Sequence, residues 1–358
     1  MVLDLLLVYN DLYDFCRKVI STVTEQHNSR VTIKDVAREA GVSISTVSNA
    51  LNGVNVLNPD TRERVLEAAA RLNYTPNLNG KNLKKRSTNI IGVFLREIKG
   101  PYYGDLIDSI YESCNEYSYE LNIFLCNDRR RIVSNILGHG IDGAIILNEA
   151  VSEEQEDILM RQNIPAVYMD RLRSGINNSS VVFDSYKGGE EVAKYLLELG
   201  NRSFMVIRGP KYNYDSIQRE KGFTDVLAEA GITIGKDYFI DGAFAMRAAH
   251  DSMMEFIRSG HELPDAIFAL NDLSALGAVN AFKECDIKVP EDVSIVGCDD
   301  IETACLVTPS LTTIRTNFEK QGNVAVEQLI RMIKGEPGRK IVMSGRIIPR
   351  QSTIARKL

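Results

Sequence analysis

Apolar residues recur at helical spacing between residues 32 and 51, where they predict two short helices that each bury one face. The predicted inward positions are Val36, Ala37, Ala40, Val47, Ala50 and Leu51. Thr32 followed by Asp35 predicts the start of the first helix. Gly41 predicts a tight turn after it, and Ser43 predicts the start of the second helix. Two helices that cross closely at a glycine turn are typical of a helix-turn-helix.

A third helix is predicted after Asn58 and Pro59, a capping residue followed by proline at the first helical position. Its apolar stripe comprises Val65, Ala68, Ala69 and Leu72. The outward face of the second helix carries short side chains that can reach base edges or thymine methyl groups, namely Ile44, Ser45, Ser48 and Asn49. On periodicity alone, a small helical bundle that does not contact DNA is the alternative.

From residue 89 onward, short apolar runs alternate with helical patterns. The runs predict strands at residues 90–95, 121–125, 144–147, 166–169, 204–207, 266–270 and 294–296. Helices are predicted at residues 103–114, 188–199, 220–230, 245–258 and 273–285. Such alternation predicts a parallel, doubly wound α/β fold.

Polar and aromatic residues occur beyond the carboxyl ends of these strands, where ligands bind in such folds. Arg219 opens one of the helices, and Tyr102 and Tyr103 begin another. The residues that directly follow strands are Asp170, Asn271, Asp272, Asp299 and Asp300. Carboxylates, an amide and a guanidinium beside aromatic rings suit a polyhydroxylated small molecule. The alternative is that the acidic residues are helix caps or loop charges and that the tyrosines pack at a helix start.

The net charge of −6 hides an asymmetry. Residues 31–86 carry nine Lys and Arg against five Asp and Glu, a net charge of +4, so the rest of the chain carries −10. A basic module joined to an acidic body suits a DNA-binding domain on a sensor domain. The six cysteines and four histidines are scattered without metal-ligand spacing, so we expect no metal, no cofactor and no disulfide framework.

The apolar stretch at residues 3–9 is interrupted by Asp4 and is too short to span a bilayer. We therefore expect neither a signal peptide nor a membrane anchor. For residues 1–30, an amino-terminal extension of unknown role and a start site assigned too early both remain open. We expect the protein in the cytoplasm, associated with the nucleoid.

Two other functional classes are disfavoured. A solute-binding protein without a DNA role predicts a signal peptide and no helix-turn-helix. An enzyme is disfavoured because neither a Gly-x-Ser-x-Gly nor a Gly-x-x-x-x-Gly-Lys motif occurs. Acidic residues in the predicted cleft could pair for glycoside hydrolysis, but they match a binding pocket better.

Residues 31–52 read Val-Thr-Ile-Lys-Asp-Val-Ala-Arg-Glu-Ala-Gly-Val-Ser-Ile-Ser-Thr-Val-Ser-Asn-Ala-Leu-Asn, and residues 72–77 read Leu-Asn-Tyr-Thr-Pro-Asn. Both segments closely resemble the headpiece of the lactose/galactose repressor (LacI/GalR) family. The resemblance runs from about residue 31 to the carboxyl terminus. It implies that Ile44, Ser45 and Asn49 contact base edges. It implies phosphate contacts by Thr32, Ser43, Thr46, Ser48, Asn52, Thr61, Tyr74 and Asn77. Many members have arginine in place of Asn49, and because asparagine suits adenine whereas arginine favours guanine, no known operator sequence is transferred.

Residues 78–86 by themselves form a basic linker. The resemblance makes residues 77–87 a hinge helix that folds when two copies meet on DNA, with Leu83 wedged into the minor groove beside Gly80 and Lys84. Gly80 disfavours a helix by about 1 kcal/mol, so we expect the order of the hinge to depend on the DNA complex.

The body carries the same resemblance, in Gly-Cys-Asp-Asp at residues 297–300, Ala-Leu-Asn-Asp at 269–272 and Thr-Pro-Ser-Leu-Thr-Thr at 308–313. These segments look like the effector domain of the family, which is similar to periplasmic sugar-binding proteins. The implied effector contacts are Tyr102, Tyr103, Asp170, Asn213, Asp215, Arg219, Phe244, Asn271 and Asp299. Between residues 127 and 141 the usual helix looks shortened to a brief turn after Arg129-Arg-Arg131.

The predicted fold is α plus α/β: a three-helix helix-turn-helix headpiece at residues 31–76, a hinge helix at 77–87, and a two-lobed, type I periplasmic-binding-protein-like α/β effector domain at 88–358. One lobe is expected from residues 88–185 and 317–342, the other from 186–316 and 343–358. We expect a homodimeric, non-enzymatic transcriptional repressor that binds a near-palindromic double-stranded DNA operator and no membrane. The expected effector is a sugar or sugar phosphate, with a purine-type nucleobase as the alternative.

Overall fold

The computed structural model describes residues 31–51, 57–74, 87–98, 100–125, 128–138, 140–147 and 150–356. The chain divides into two compact units between Arg86 and Ser87. The predicted extension at residues 1–30 lies outside the described residues, and so do Gly80, Leu83 and Lys84 of the predicted hinge. No helix in the described ranges is long and apolar enough to cross a membrane.

The first unit contains the helices α1 (Ile33–Ala40), α2 (Ile44–Leu51) and α3 (Pro59–Arg71), packed around one small core. The predicted start of α1 is confirmed, because the backbone N–H of Thr32 donates to Asp35 Oδ2 (3.0 Å). Gly41 is confirmed as the turn residue, with a left-handed φ of 63° that glycine adopts without Cβ strain. Eight of the ten residues that periodicity placed inward are buried, namely Val36, Ala37, Ala40, Val47, Ala50, Val65, Ala68 and Ala69. The other two, Leu51 and Leu72, are partly buried and pack against the same core.

The second unit contains two six-stranded sheets. The strands of the first sheet are β1 (Ile90–Leu95), β2 (Glu120–Leu125), β3 (Gly143–Ile146), β4 (Ala166–Tyr168), β5 (Asn178–Phe183) and β11 (Lys340–Met343). They lie in the order β11-β5-β4-β3-β1-β2, and all pairs are parallel. The helices between these strands are α4 (Pro101–Glu116), α5 (Arg129–Gly138) and α6 (Glu153–Arg161). A later helix, α12 (Phe318–Ile333), also buries its apolar side against this sheet.

The strands of the second sheet are β6 (Phe204–Arg208), β7 (Phe239–Asp241), β8 (Ala266–Ala269), β9 (Ser294–Asp299), β10 (Thr312–Arg315) and β12 (Arg346–Ile348). Their order is β12-β10-β9-β8-β6-β7, and only the pair of β10 and β12 is antiparallel. The helices are α7 (Ser185–Glu198), α8 (Tyr214–Glu229), α9 (Met246–Arg258), α10 (Asp272–Glu284) and α11 (Glu302–Leu306), with a short 3₁₀ turn at Lys236–Tyr238. The chain passes between the two sheets after β5, after β10 and after β11.

One expectation about the first sheet is wrong. Residues 129–138 form the full helix α5 rather than a brief turn. Ile132, Val133 and Ile136 recur at helical spacing and are buried against the sheet, which stabilises the helix.

A Gly-x-Gly-x-x-Gly spacing at residues 138–143 leads from the end of α5 into β3, the reverse of the strand-to-helix order that a dinucleotide-binding loop needs.

Candidate functional site

Helix α2 presents one exposed face. Ile44, Ser45 and Asn49 are exposed, whereas Val47 and Ala50 on the opposite face are buried. Ile44 is 45% exposed although it is a large apolar residue, so the helix begins with a group suited to contact a thymine methyl. The three predicted base-contacting side chains therefore share one face that is open to a partner.

Three hydroxyl groups cluster at the beginning of α2. Ser43 Oγ lies 2.7 Å from Ser45 Oγ and 2.8 Å from Thr46 Oγ1. Ser43 Oγ also accepts from the backbone N–H of Thr46 (3.1 Å), which satisfies one of the free donors of the first turn. These mutual contacts restrict the side-chain rotamers, so hydroxyls predicted to contact DNA are held in place before it binds.

The other predicted phosphate contacts are spread over the first unit. Thr32 Oγ1 donates to Asp35 Oδ2 (2.7 Å) at the start of α1. Ser48, Thr61 and Tyr74 are partly buried, and Tyr74 packs against the small core. Asn52 and Asn77 lie outside the described residues. The contacts of all these residues with DNA stay predictions.

A cavity in the second unit opens between segments that belong to the two sheets. About 520 Å³ of space, part of it open to solvent at the mouth, is free of protein atoms there. The lining residues are Gly100, Pro101, Tyr102, Tyr103, Asn213, Asp215, Arg219, Phe244, Asn271, Leu273, Asp299 and Ile301. Eight of the nine predicted effector contacts are therefore brought together, although their contact with an effector stays a prediction.

The buried guanidinium of Arg219 lies at the centre of the polar part of the lining. Its Nη1 donates to the carbonyl oxygen of Leu270 (2.5 Å) and to Asp299 Oδ1 (3.4 Å). Its Nε is buried too and has no hydrogen-bond partner within the described part of the chain. A buried donor without a partner costs about 1–3 kcal/mol, so a ligand oxygen that accepted from this group would gain affinity.

Aromatic rings form the apolar part of the lining. The rings of Tyr102 and Tyr103 meet edge to face with centroids 5.2 Å apart, and Phe318 supports Tyr102 from behind at 6.0 Å. Phe244 enters the cavity from a turn in which its own φ is 56°. Its ring rests on Gly209, where any Cβ would overlap the ring. These rings can stack on the apolar face of a sugar or on a flat heterocycle.

Two amide side chains combine a capping role with a place in the lining. Asn213 Oδ1 accepts from the backbone N–H of Ser216 (2.9 Å) and so caps α8. Asn271 Oδ1 accepts from the N–H of Ser274 (3.0 Å) and caps α10, while its Nδ2 donates to the carbonyl oxygen of Phe244 (3.2 Å). The capping and binding interpretations of these residues are therefore compatible.

The carboxyl group of Asp299 is buried beside Arg219 on a strained backbone. Asp299 and Asp300 have φ values of 129° and 63°, in the region that residues with a Cβ rarely adopt. Such strain clusters at functional sites. Burial raises the pKa of Asp299 to about 8, with Arg219 opposing the rise and Asp272 adding to it. Burial likewise raises the pKa of Asp272 to about 6.

Three acidic residues that follow strands lie outside the lining. Asp170 accepts from Arg171 through both oxygens, at 2.9 Å and 3.1 Å, so its role as an effector contact stays a prediction without support from this geometry. Asp300 accepts from Arg315 and Arg350, each at 2.5 Å. Asp272 is fully buried and accepts from Thr313 Oγ1 and the N–H of Ile301.

Sequence reasoning missed the lining residues Gly100, Pro101, Leu273 and Ile301. They carry no charged or polar side chain that marks a site. Leu273 and Ile301 nevertheless come directly after the polar pairs at residues 271–272 and 299–300. Because ligands in such folds bind beyond the carboxyl ends of the strands, their position in the sequence could have identified them.

Comparison with known proteins links both units to one family. Residues 32–77 match the model of bacterial regulatory proteins, lacI family, and residues 193–353 match a periplasmic binding protein-like domain. The HTH-type transcriptional repressor PurR of Haemophilus influenzae (strain PittEE) is 35% identical over 311 residues, which cover 84% of this chain and 91% of that protein.

Two solved structures show the same similarity. The Lac repressor dimer bound to operator and the anti-inducer ONPF is 25% identical with a TM-score of 0.75, covering 91% of this chain and 100% of that one. The transcriptional regulator CelR in complex with cellobiose is 26% identical with a TM-score of 0.68, covering 90% of this chain and 100% of that one.

Proposed function

The chain belongs to the LacI family of bacterial regulatory proteins, and we propose that it represses transcription by binding operator DNA through its first unit, under the control of a small molecule that occupies the cavity of its second unit. The observation that carries the proposal is the presence, in one chain, of the exposed face of α2 and a cavity lined by a buried guanidinium with an unsatisfied Nε.

DNA binding rests on α2. Ile44, Ser45 and Asn49 contact base edges in the major groove, while the neighbouring hydroxyls contact phosphates and fix the register. The net charge of +4 on residues 31–86 attracts the DNA backbone and makes affinity depend on salt. The hinge at residues 77–87 adds a minor-groove contact through Leu83.

We propose a sugar as the effector. Arg219, Asp215 and Asp299 offer donors and acceptors for vicinal hydroxyl groups, and the aromatic wall offers faces for the apolar side of a sugar ring. The similar regulator solved with cellobiose supports this class. A purine-type nucleobase is the second candidate, favoured by the curated relatives named PurR and by the same aromatic rings.

The domain limits that we propose are 31–76 for the headpiece, 77–87 for the hinge and 88–358 for the effector domain, with one lobe built on each sheet. The strands of each sheet support this division.

We further propose a homodimer in which two headpieces bind the halves of a near-palindromic operator, as the solved Lac repressor dimer suggests. Exposed apolar residues on α4 and the edge strand β2 offer a surface for the second copy, namely Tyr111, Ile123 and Leu125. We propose a cytoplasmic, non-enzymatic regulator, in keeping with its DNA-binding relatives.

The test links the two sites. Operator fragments are first selected from genomic DNA with the full chain, and a thermal-shift screen of sugars and nucleobases identifies a ligand. The ligand is then titrated into the operator complex, and the DNA affinity is measured by fluorescence anisotropy. We expect a change of about 5- to 150-fold, the usual range of such coupling. A ligand that binds the chain without changing its operator affinity contradicts the proposal.

Two arginine variants localise the effect. Arg219→Ala should keep operator binding without ligand and lose the ligand response, because its guanidinium lines the cavity. Arg208→Ala is the matched control, since Arg208 pairs with Glu220 (2.6 Å) and does not line the cavity. Loss of response in both variants would count against Arg219 as an effector contact.

A further inference from the structure

Carboxyl groups outnumber cations around the cavity. Arg219 is the one cationic side chain among the described lining residues, and Asp215 and Asp299 line the same space. The carboxyl group of Asp272 is buried close enough to act electrostatically on Asp299. Because burial raises the pKa of Asp299 to about 8, its carboxyl group is largely protonated at neutral pH. The Asp215 carboxylate then balances Arg219 in the lining, and Asp272, whose pKa is raised to about 6, adds a negative charge behind Asp299.

The rim of the cleft is acidic as well. Asp105 of α4 is half-buried, and burial, followed by Asp108 and Glu302, raises its pKa. Glu302 belongs to α11, on the other side of the cleft, so carboxyl groups of the two lobes face each other there. Arg96 lies over the ring of Tyr212, 5.8 Å from its centroid, and does not line the cavity.

Arg219 by itself does not make an anion site. Its Nη1 already donates to the Leu270 carbonyl oxygen and to Asp299, so a phosphate oxygen at Nη1 would compete with both. The Nε that has no partner offers a single N–H, which suits one ligand oxygen and does not neutralise a phosphate group. A phosphate monoester brings a charge of about −1.5 to −2 at neutral pH. Placing it beside the carboxyl groups adds like-charge repulsion to the cost of removing the phosphate from water.

Asp215 is the member of this set that is open to a ligand. It is the least buried of the three carboxyl groups. Its Oδ1 accepts from Ser185 Oγ (2.6 Å), at the point where the chain has just crossed from β5 into α7. A ligand that reached Asp215 would therefore meet a fixed acceptor, which binds donors and repels anions.

We propose that this cavity selects uncharged or cationic, hydrogen-bond-donating ring molecules and excludes phosphorylated ones, with Asp215 as the specificity-determining residue. The inference rests on the proposed function and narrows its effector: unphosphorylated or amino sugars and nucleobases fit, whereas sugar phosphates and nucleotides do not.

The test measures the electrostatic potential of the cavity without an identified effector. Leu273→Cys places a thiol in the lining, and its rates of reaction with a cationic and an anionic methanethiosulfonate reagent are followed by mass spectrometry of the peptide that contains residue 273. The same two rates on 2-mercaptoethanol give the intrinsic ratio. Pro101→Cys is a second lining position, partly exposed in the structure, and is used if the first variant does not fold.

We expect the normalised cation-to-anion ratio at the lining cysteine to be about tenfold above the intrinsic ratio at low salt, which corresponds to about 1.4 kcal/mol. Asp215→Asn should lower it severalfold. Asp241→Asn, the control for loss of a carboxylate, should leave it unchanged because Asp241 pairs with Lys211 (3.5 Å) and does not line the cavity.

A ratio at or below the intrinsic value, or one that Asp215→Asn does not change, overturns the charge selectivity and leaves the effector cavity standing. A cysteine in the lining that neither reagent modifies contradicts the cavity itself, and with it both the proposed function and the selectivity. A parallel thermal-shift experiment compares ribose with ribose 5-phosphate and glucose with glucose 6-phosphate. Greater stabilisation of the chain by the phosphorylated sugar of either pair would also overturn the charge selectivity.

Discussion

Gly189 of α7 lies directly against the backbone carbonyl oxygen of Arg219 on α8, where a Cβ on residue 189 would overlap that oxygen. Gly222 makes the matching contact on the other helix, against the carbonyl oxygen of Tyr186. Because each helix contributes a glycine, α7 and α8 cross in backbone contact. This crossing fixes the position from which the guanidinium of Arg219 reaches the cavity.

We expect Gly189→Ala to destabilise the chain by about 1–3 kcal/mol, because the added methyl group must push the two helices apart. The displacement of α8 should also weaken binding of the effector. Urea unfolding measures the first effect. Gly104→Ala is the control, since Gly104 is also helical and an added Cβ there meets no atom within 4 Å. Equal stability of the two variants would show that the crossing tolerates a side chain.

The buried carboxyl group of Asp299 should make stability depend on pH. Its pKa of about 8 in the folded chain exceeds the ordinary value of 3.8, so between these values the folded chain holds a proton that the unfolded chain has released. The contribution of this proton to the free energy of unfolding is complete below the ordinary pKa of 3.8, and it is lost progressively as pH rises from there through about 8. The free energy of unfolding should fall by up to about 1.4 kcal/mol per pH unit for each such carboxyl group.

Asp299→Asn cannot ionise, so its free energy of unfolding should vary less with pH than that of the unmodified chain. Urea unfolding at several pH values from about 5 to about 8 measures both slopes. Asp241→Asn, on the surface, should keep the original slope. The explanation fails if the slope is the same with and without the Asp299 carboxyl group.

Asn49→Arg should change the sequence that the first unit prefers. Asparagine pairs with the N6 and N7 atoms of adenine, whereas arginine pairs with O6 and N7 of guanine, with a discrimination of about 1–3 kcal/mol. Selection from randomised DNA should show adenine replaced by guanine at one position of each half-site. Ala70→Arg adds the same charge at an exposed position of α3 and should raise affinity without changing the preferred sequence. Unchanged preference in Asn49→Arg would remove residue 49 from the base-contacting set.

Leu83→Ala should weaken operator binding far more than binding to non-specific DNA, because a wedge in the minor groove forms only in the bent, specific complex. Fluorescence anisotropy on both DNAs at one salt concentration measures the difference. Equal losses on the two DNAs would mean that Leu83 acts in some other way. Lys84→Ala provides a contrast, since loss of one positive charge from the hinge should weaken both complexes and reduce their salt dependence.

The helix-turn-helix could be predicted almost completely from the sequence because the information is local. The cap at Thr32, the turn at Gly41 and the inward stripe of α1 and α2 each depend on residues within four positions of one another. The cavity could be predicted in part, because ligands in such folds bind beyond the carboxyl ends of the strands. That principle selected Arg219, Asn271 and Asp299 before their distances were known.

Strands whose buried residues are polar escaped the same reasoning. β5 begins Asn178-Ser-Ser and is buried throughout, and only its second half contributes apolar side chains to the cores. In the polar half, a long-range hydrogen bond joins Ser179 Oγ to the carbonyl oxygen of Arg339 (2.6 Å), 160 residues away. Periodicity cannot show such a strand, since its partners come from another part of the chain.

The sequence by itself determined the family, the helix-turn-helix and the residue types at the strand ends, because each is a pattern of neighbours along the chain. Only the tertiary structure decided which of those residues share a cavity. It engages Asp170 with Arg171 outside the lining and places Asp215 inside it. It also places the buried guanidinium of Arg219 in the same lining as two carboxyl groups. Charge balance and burial depend on distances between residues that are far apart in the chain, and packing alone sets those distances.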